Sequence, residues 1–502
     1  IKLLETNASG KGSLGVYIKN SNLDNSSGGI IQVGENGVGV YLESVEASRS
    51  INLGNILTGD NGTGLYIKNS DPYTVDSFGS ITTGKNSIGT AVISGKLNID
   101  TLNESNFYLG SGSTGYFLKD GILTSSLPNK NIIFGDDITG VLMTGNSGLE
   151  NIEKIQIGDR VTTGIESMVI GIKNLQNTLD LSTKLTGGDG AMGLYYTEAL
   201  TPGTVNYNGS GSKVTPDIET GKSGGVNSAV GASIKSIVPG SVLNLNNTYL
   251  KLNGDNAVGL GAIGAVINVN GGKIELTSPG TMFVIQNNGK INIAADTELV
   301  IPDNDMTIYT VIDSVFENNS ETALLIPVDS VGIYGKTSTV INNSRIASKI
   351  ISGVKAAQST GIYLEDFGQA VNNDVIDLGD KGIGLFGNYS GMKNGQTGTI
   401  IIGNEGVGEY VVFGSLMENE GKILIGERSI GLYAKDVSGS LVYPGAGKEN
   451  QIKNSGEIYS AGELSTGIYS VGLDNVNRSE IQNTGTINLV GNSSMGILGE
   501  RT

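Results

Sequence analysis

The chain has 502 residues, 77 of them Gly, and contains no His, no Cys and no Trp. Lys and Arg number 32 against 49 Asp and Glu, a formal charge of −17. These values exclude a Ser-His-Asp triad, a Cys-His pair, His- or Cys-ligated zinc, disulfides and iron–sulfur clusters. They also disfavour a nucleic-acid backbone or an anionic membrane surface as partner.

Charged residues make up 16% and hydropathy is near zero, so the chain is too apolar to be disordered. Gly is about twice as frequent as in ordinary globular proteins, which points to a repeat fold. At the start, residues 1–10 show no basic segment followed by an apolar run. The most apolar stretch, Val258 to Val269, is too short to span a bilayer. We read the chain as a segment of something longer.

Along the chain one pattern recurs: Gly, four residues, Gly, an aliphatic residue, then usually Tyr or Phe. Its second Gly falls at Gly15, Gly39, Gly64, Gly89, Gly115, Gly140 and Gly164, in steps of 24, 25, 25, 26, 25 and 24 residues. Gly193 follows. The copies resume at Gly332, Gly361, Gly384, Gly408, Gly431, Gly467 and Gly496. Between them the phase is read from Gly259, Thr281 and Thr307. Each unit holds two Ile- and Val-rich runs around a tight turn, where Gly tolerates positive φ. Met168, Ile172, Leu175 and Leu179 form the nearest thing to a helical stripe, and a strand is the preferred reading there too.

A coil of short strands every ~25 residues cannot bury its apolar face alone, but stacked coils can. The expected fold is all-β: a right-handed parallel β-helix of about 20 coils. Coils are expected over 1–196 and 241–502. A Gly-, Ser- and Pro-rich insertion spans 197–240, and a second excursion spans 435–450. Loops carry function, so the insertion supplies the candidate ligand-binding residues: Tyr207, Lys213, Asp217 and Glu219. On this reading, deleting Thr201 to Ser233 leaves the solenoid folded.

Tyr17, Tyr41, Tyr66, Phe117, Tyr195, Tyr334, Tyr363, Phe386, Tyr410, Tyr433 and Tyr469 share one repeat position. Ala91, Leu142, Glu166 and Gly261 also occupy it. A structural ladder is the preferred reading, with an exposed strip that stacks sugar rings as the alternative.

Asp303 and Asp305 read as a solvated turn rather than a Ca²⁺ site, since no further ligand follows at the required spacing. Gly135-Asp136-Asp137 is similar to a polygalacturonase motif, but it fills an ordinary repeat turn and the partner His of that family is missing. We expect no metal, no cofactor and no catalysis.

The unit Asn454-Ser-Gly-Glu-Ile458 … Gly462-Glu-Leu-Ser-Thr-Gly467-Ile-Tyr469 resembles the passenger repeats of large fusobacterial type V autotransporter adhesins. The resemblance covers nearly the whole chain apart from 197–240 and 261–306. It implies a non-catalytic adhesin on the surface of a Gram-negative bacterium. Implied partners are host glycans, host receptor proteins including those of immune cells, or other bacteria. It also implies an upstream signal peptide and a C-terminal membrane barrel outside this segment, which would itself be monomeric. Two alternatives stand beside it: a structural spacer, and a β-helix enzyme acting on polysaccharide.

Overall fold

The computed structural model describes residues 2–3, 12–25, 28–44, 49–68, 73–222, 228–413, 416–437, 451–472 and 480–500. It is a parallel β-solenoid of about 18 turns with a period near 25 residues. Among the described residues the one helical turn is a 3₁₀ turn, Glu104–Asn106. The second excursion lies almost wholly outside the described residues. Two compact units divide the chain: Ile1–Ser278 with Ile291–Val300, and Pro279–Lys290 with Ile301–Thr502.

In the second unit each regular coil contributes three parallel strands. One sheet carries the Gly-aliphatic-aromatic motif, in strands such as Thr360–Glu365, Ile383–Asn388 and Val407–Val412. The other two sheets each hold seven strands, as in Gln369–Asn372 and Val375–Leu378. Period-2 alternation sends Ile362 and Leu364 inward and Tyr363 and Glu365 outward. Ile333, Ile362, Leu385, Leu432 and Ile468 form an aliphatic column with no solvent exposure. Each such side chain contributes roughly 1.5–3 kcal/mol of burial.

The repeat glycines serve close packing rather than turns. None of Gly15, Gly39, Gly64, Gly361, Gly408, Gly431 and Gly467 has a positive φ. A Cβ on Gly431 would lie 2.6 Å from the Gly467 carbonyl oxygen and 2.7 Å from Ile458 Cγ2. Gly361 and Gly408 each face the next repeat Gly carbonyl at 2.5 Å. The position that does need left-handed backbone is two residues after the first Gly, as at Asn36, Asn61 and Asn86, with φ of 54°, 55° and 52°.

One corner of the second unit holds a column of Asn side chains. Asn318, Asn342, Asn372, Asn394, Asn419, Asn454 and Asn483 each stack on the next, with Nδ2 donating to the following Oδ1 at 2.7–2.9 Å. The first six are buried, so every rung needs its neighbours.

The first unit has a less regular interior. Phe78, Phe107, Tyr116 and Phe134 cluster with ring centroids 5.4–5.7 Å apart. Buried Glu104 accepts from Tyr116 at 2.8 Å and faces Lys130 at 3.5 Å. Burial pushes its carboxyl above the usual range, against the pull of Lys130.

Several register expectations are corrected. The strand Met168–Leu175 aligns Gly171 with Leu142 and Tyr195, so Val169 fills the repeat-Gly slot. Gly164 sits in the preceding turn at φ 82°, and Glu166 is not in the aromatic column. The supposed helical stripe is this strand together with Leu179–Leu181. Further on, Thr307 pairs with Val331 rather than sharing the place of Gly332. That one-residue slip turns Phe283 and Tyr309 into the core, because side chains alternate faces.

Candidate functional site

The insertion assigned to 197–240 is not a protrusion. Its described residues build coils through three strands. Thr204–Asn208 pairs in register with Leu179–Leu181 and Val242–Leu252. Ile218–Thr220 pairs with Lys184–Gly187 and again with Val242–Leu252. Val230–Ser236 pairs with Met192–Glu198 and Ala257–Ile263. Alternating apolar residues such as Val205, Tyr207, Ile218 and Ile234 drive this by filling the core. Val242–Leu252 is long enough to serve two strands side by side.

The four candidate ligand residues therefore part company. Tyr207 is fully buried, and its hydroxyl donates to the carbonyls of Thr183 at 2.8 Å and Asp217 at 3.0 Å. Burial, with the Asp217 carboxylate nearby, raises its pKa far above the usual phenol value. Asp217 is buried as well and accepts backbone N–H groups from Ser210 and Tyr249 at 3.0 and 2.9 Å. Contrary to the expectation of a ligand contact, both are buried and engaged inside the coil. Glu219 faces Lys251 at 3.6 Å and accepts from Asn253 at 2.8 Å. Lys213 faces Glu298 at 3.5 Å with half of its side chain in solvent. These two reach the surface.

The aromatic position builds a continuous outward-facing column on the second unit. Tyr334, Tyr363, Phe386, Tyr410, Tyr433 and Tyr469 occupy successive coils in strict register. Neighbouring ring centroids lie 4.7–5.5 Å apart. All six are half-buried and point outward. The first three pairs are edge-to-face, at 67–77°, and the last two are stacked, at 13° and 5°. Each such pair contributes about 0.5–1.5 kcal/mol beyond area burial.

Carboxylates border this column. Glu365 accepts from Tyr334 and, at 3.5 Å, from Tyr363, while Glu500 accepts from Tyr469 at 3.1 Å. Partial burial and Glu365 together raise the Tyr334 pKa. The face thus combines ring edges with fixed acceptors, suiting hydroxyl-rich or basic ligands. A shorter counterpart in the first unit runs Tyr17, Tyr41, Tyr66, with Tyr17 donating to Glu43 at 2.8 Å.

The first unit also has an open cleft of about 510 Å³ lined by Leu127, Pro128, Asn129, Asn151, Glu153 and Lys184, among others. Loop 126–129, with Asn129 at φ 64°, shapes one wall. The adjacent Asp100 is held at about 2, below the ordinary carboxylate value. Burial opposes this, but hydrogen bonds from Ser125, Ser126 and Asn98 outweigh it. Nothing in the sequence pattern marks this cleft, because loop 126–129 meets the edges of the strands Ile152–Gln156 and Lys184–Gly187 there without any distinctive residue spacing.

The turn acids are engaged locally. Asp136 accepts the Asp159 N–H at 2.8 Å, and Asp137 accepts from Val161 and Thr162 at 2.8 and 2.9 Å. Asp303 binds Lys349 at 2.7 Å. Among the described residues no group of three acidic side chains is arranged to hold a metal ion. No family model, no curated protein and no solved structure matches the chain.

Proposed function

We propose that this chain is a non-catalytic adhesive segment of a Gram-negative outer-surface protein, an autotransporter passenger that binds glycans or surface proteins through a lateral face. The observation that carries this reading is the unbroken outward aromatic column from Tyr334 to Tyr469, edged by carboxylates. A packing role alone needs no ring on the outer face, where a Thr such as Thr310 also fits the ladder. The absence of His and Cys and the local engagement of Asp136 and Asp137 favour a non-catalytic role.

A second reading, a structural spacer, gains from the incorporation of 197–240 into regular coils. That removes the protrusion that had favoured adhesion. Binding of the purified chain to a glycan array, host cell-surface receptors and whole bacteria separates the two. Saturable binding that falls when Tyr363, Tyr410 and Tyr433 are replaced by Thr supports the adhesive face. A folded chain silent on every panel makes it a spacer.

A further inference from the structure

At several coils the residue after the strand of the Gly-aromatic sheet turns the chain in left-handed conformation. There it is usually a small polar residue: Asn20, Ser94, Asp120, Asn287, Asp313 and Thr337 have φ of 48–52°. Such residues tolerate this region because their short side chains bond locally. Two successive coils of the second unit break the rule, and the coil before them adds an aromatic residue directly after its Asp. Tyr389 and Phe413 hold the position itself, at φ 50° and 46°, and Phe367 follows Asp366 at φ 70°. The Phe367 N–H donates to the Tyr389 carbonyl at 2.8 Å, which sets it at the same corner, one residue further along its coil than Tyr389 and Phe413.

Phe367 and Phe413 are disfavoured twice over, and Tyr389 by its backbone. Bulky residues are strained at positive φ, and strain of this kind persists where function requires it. The rings also gain little from burial: Phe367 is 51% and Phe413 41% exposed. Tyr389 and Phe413 stack with centroids 5.5 Å apart and planes within 16°. Folding alone would place Asn or Asp here, as it does elsewhere.

We infer that this corner row, Phe367, Tyr389 and Phe413, is a stacking platform for the pyranose rings of a neutral saccharide chain. This rests on the adhesive reading above and names its ligand class. The patch is narrow, and its exposed ring area is on the order of 300 Å², well below the ~800 Å² per partner of a stable protein interface. A saccharide chain is itself a ribbon one ring wide, with C–H faces that lie on aromatic rings and hydroxyls at its edges. Asp366, paired with Lys336 at 2.9 Å, supplies polar groups beside the rings for those hydroxyls. The chain's charge of −17 opposes sulfated and sialylated ligands and leaves neutral ones.

The test uses the full chain and its Phe367→Asn, Tyr389→Asn, Phe413→Asn triple variant. Saturation-transfer NMR reports binding of neutral β-linked tetrasaccharides of glucose, galactose and N-acetylglucosamine, with a sulfated oligosaccharide as control. Binding of at least one neutral probe, weakened about tenfold or more in the variant at unchanged or higher Tm, is the expected result. A packing role for the rings would instead lower Tm. A neutral probe that binds both proteins equally overturns the platform while leaving the adhesive reading intact. So does a parent that binds bacteria or receptors but no neutral probe. Silence on every panel overturns both. Should the triple variant misfold, irradiation of ring protons in the unaltered chain decides. Without saturation transfer to pyranose C–H protons, the platform fails.

Discussion

In the second unit an Asn recurs at one corner over seven coils and an aromatic ring on one face over six. In the first unit the aromatic column runs three coils, Tyr17, Tyr41 and Tyr66, and then gives way to Ala91. The interior differs to match. The first unit satisfies its buried polar groups one by one, through Tyr116–Glu104–Lys130, Tyr196–Glu198 and Tyr207–Thr183. The second satisfies its buried corner Asn side chains by stacking identical groups. Repetition lets one solution serve every coil, whereas each departure from it demands a local network of its own.

The largest expected effect tests the coil assignment in the first unit. Deleting Thr201 to Ser233 removes two strands and part of a third from the pairing ladder. The circular-dichroism β-signal should fall and the first unit should lose its cooperative melt. Retention of a native melt would restore the protrusion reading.

Next comes the Gly ladder. Gly431→Val in the second unit forces a side chain onto the Gly467 carbonyl and Ile458, at a cost of about 3 kcal/mol or more. Gly171→Ala in the first unit meets only flexible side-chain ends, Leu142 at 3.0 Å and Met168 at 3.4 Å, and should cost under about 1 kcal/mol. Hydrogen exchange of the flanking strands measures both, and equal costs would refute the close-packing account.

The pH-dependent effects come last and concern two buried carboxyls. Glu409 replaces an aliphatic residue in the column between Leu385 and Leu432, and neither of its oxygens has a hydrogen-bond partner. Burial foremost, and then Glu418, raises its pKa well above the ordinary value. The folded state therefore holds the proton that the unfolded chain releases once pH passes about 4.5. Stability is greatest below that pH and falls as pH rises toward the folded-state pKa. Glu409→Leu should stabilise the second unit by about 1–3 kcal/mol at pH 7, with a gain that shrinks toward pH 4. Glu198 in the first unit is the opposite case. Its Oε1 accepts the Leu175 N–H at 2.5 Å and the Tyr196 hydroxyl at 3.0 Å. Glu198→Leu strands both donors and should cost about 1–3 kcal/mol. Melts of both variants at pH 4 and 7 check the signs.

The period, the β-class and the stacking were legible in the Gly pairs, because a Gly whose Cβ site is already occupied cannot drift. Register was less so. Phe283 and Tyr309 mimic the motif but sit one residue out of phase, and one residue reverses the face. Residues 197–240 read as loop because Gly, Ser and Thr dominate them, while the few apolar residues that pin each strand are sparse. The cleft beside Leu127 and the corner row of Phe367, Tyr389 and Phe413 left no periodic trace. The corner row repeats in conformation and not in composition, so spacing of residue types could not reveal it.

The Asn column has a further consequence. All six bonds run the same way, each amide N–H₂ toward the next carbonyl in chain order. Turning one amide over would set donor against donor on one side and acceptor against acceptor on the other. No rung can reverse alone, so the column behaves as a one-dimensional ordered array of aligned dipoles, each polarising its neighbours. A side chain at Asn318 is thereby oriented in concert with one six coils away, although the two never touch.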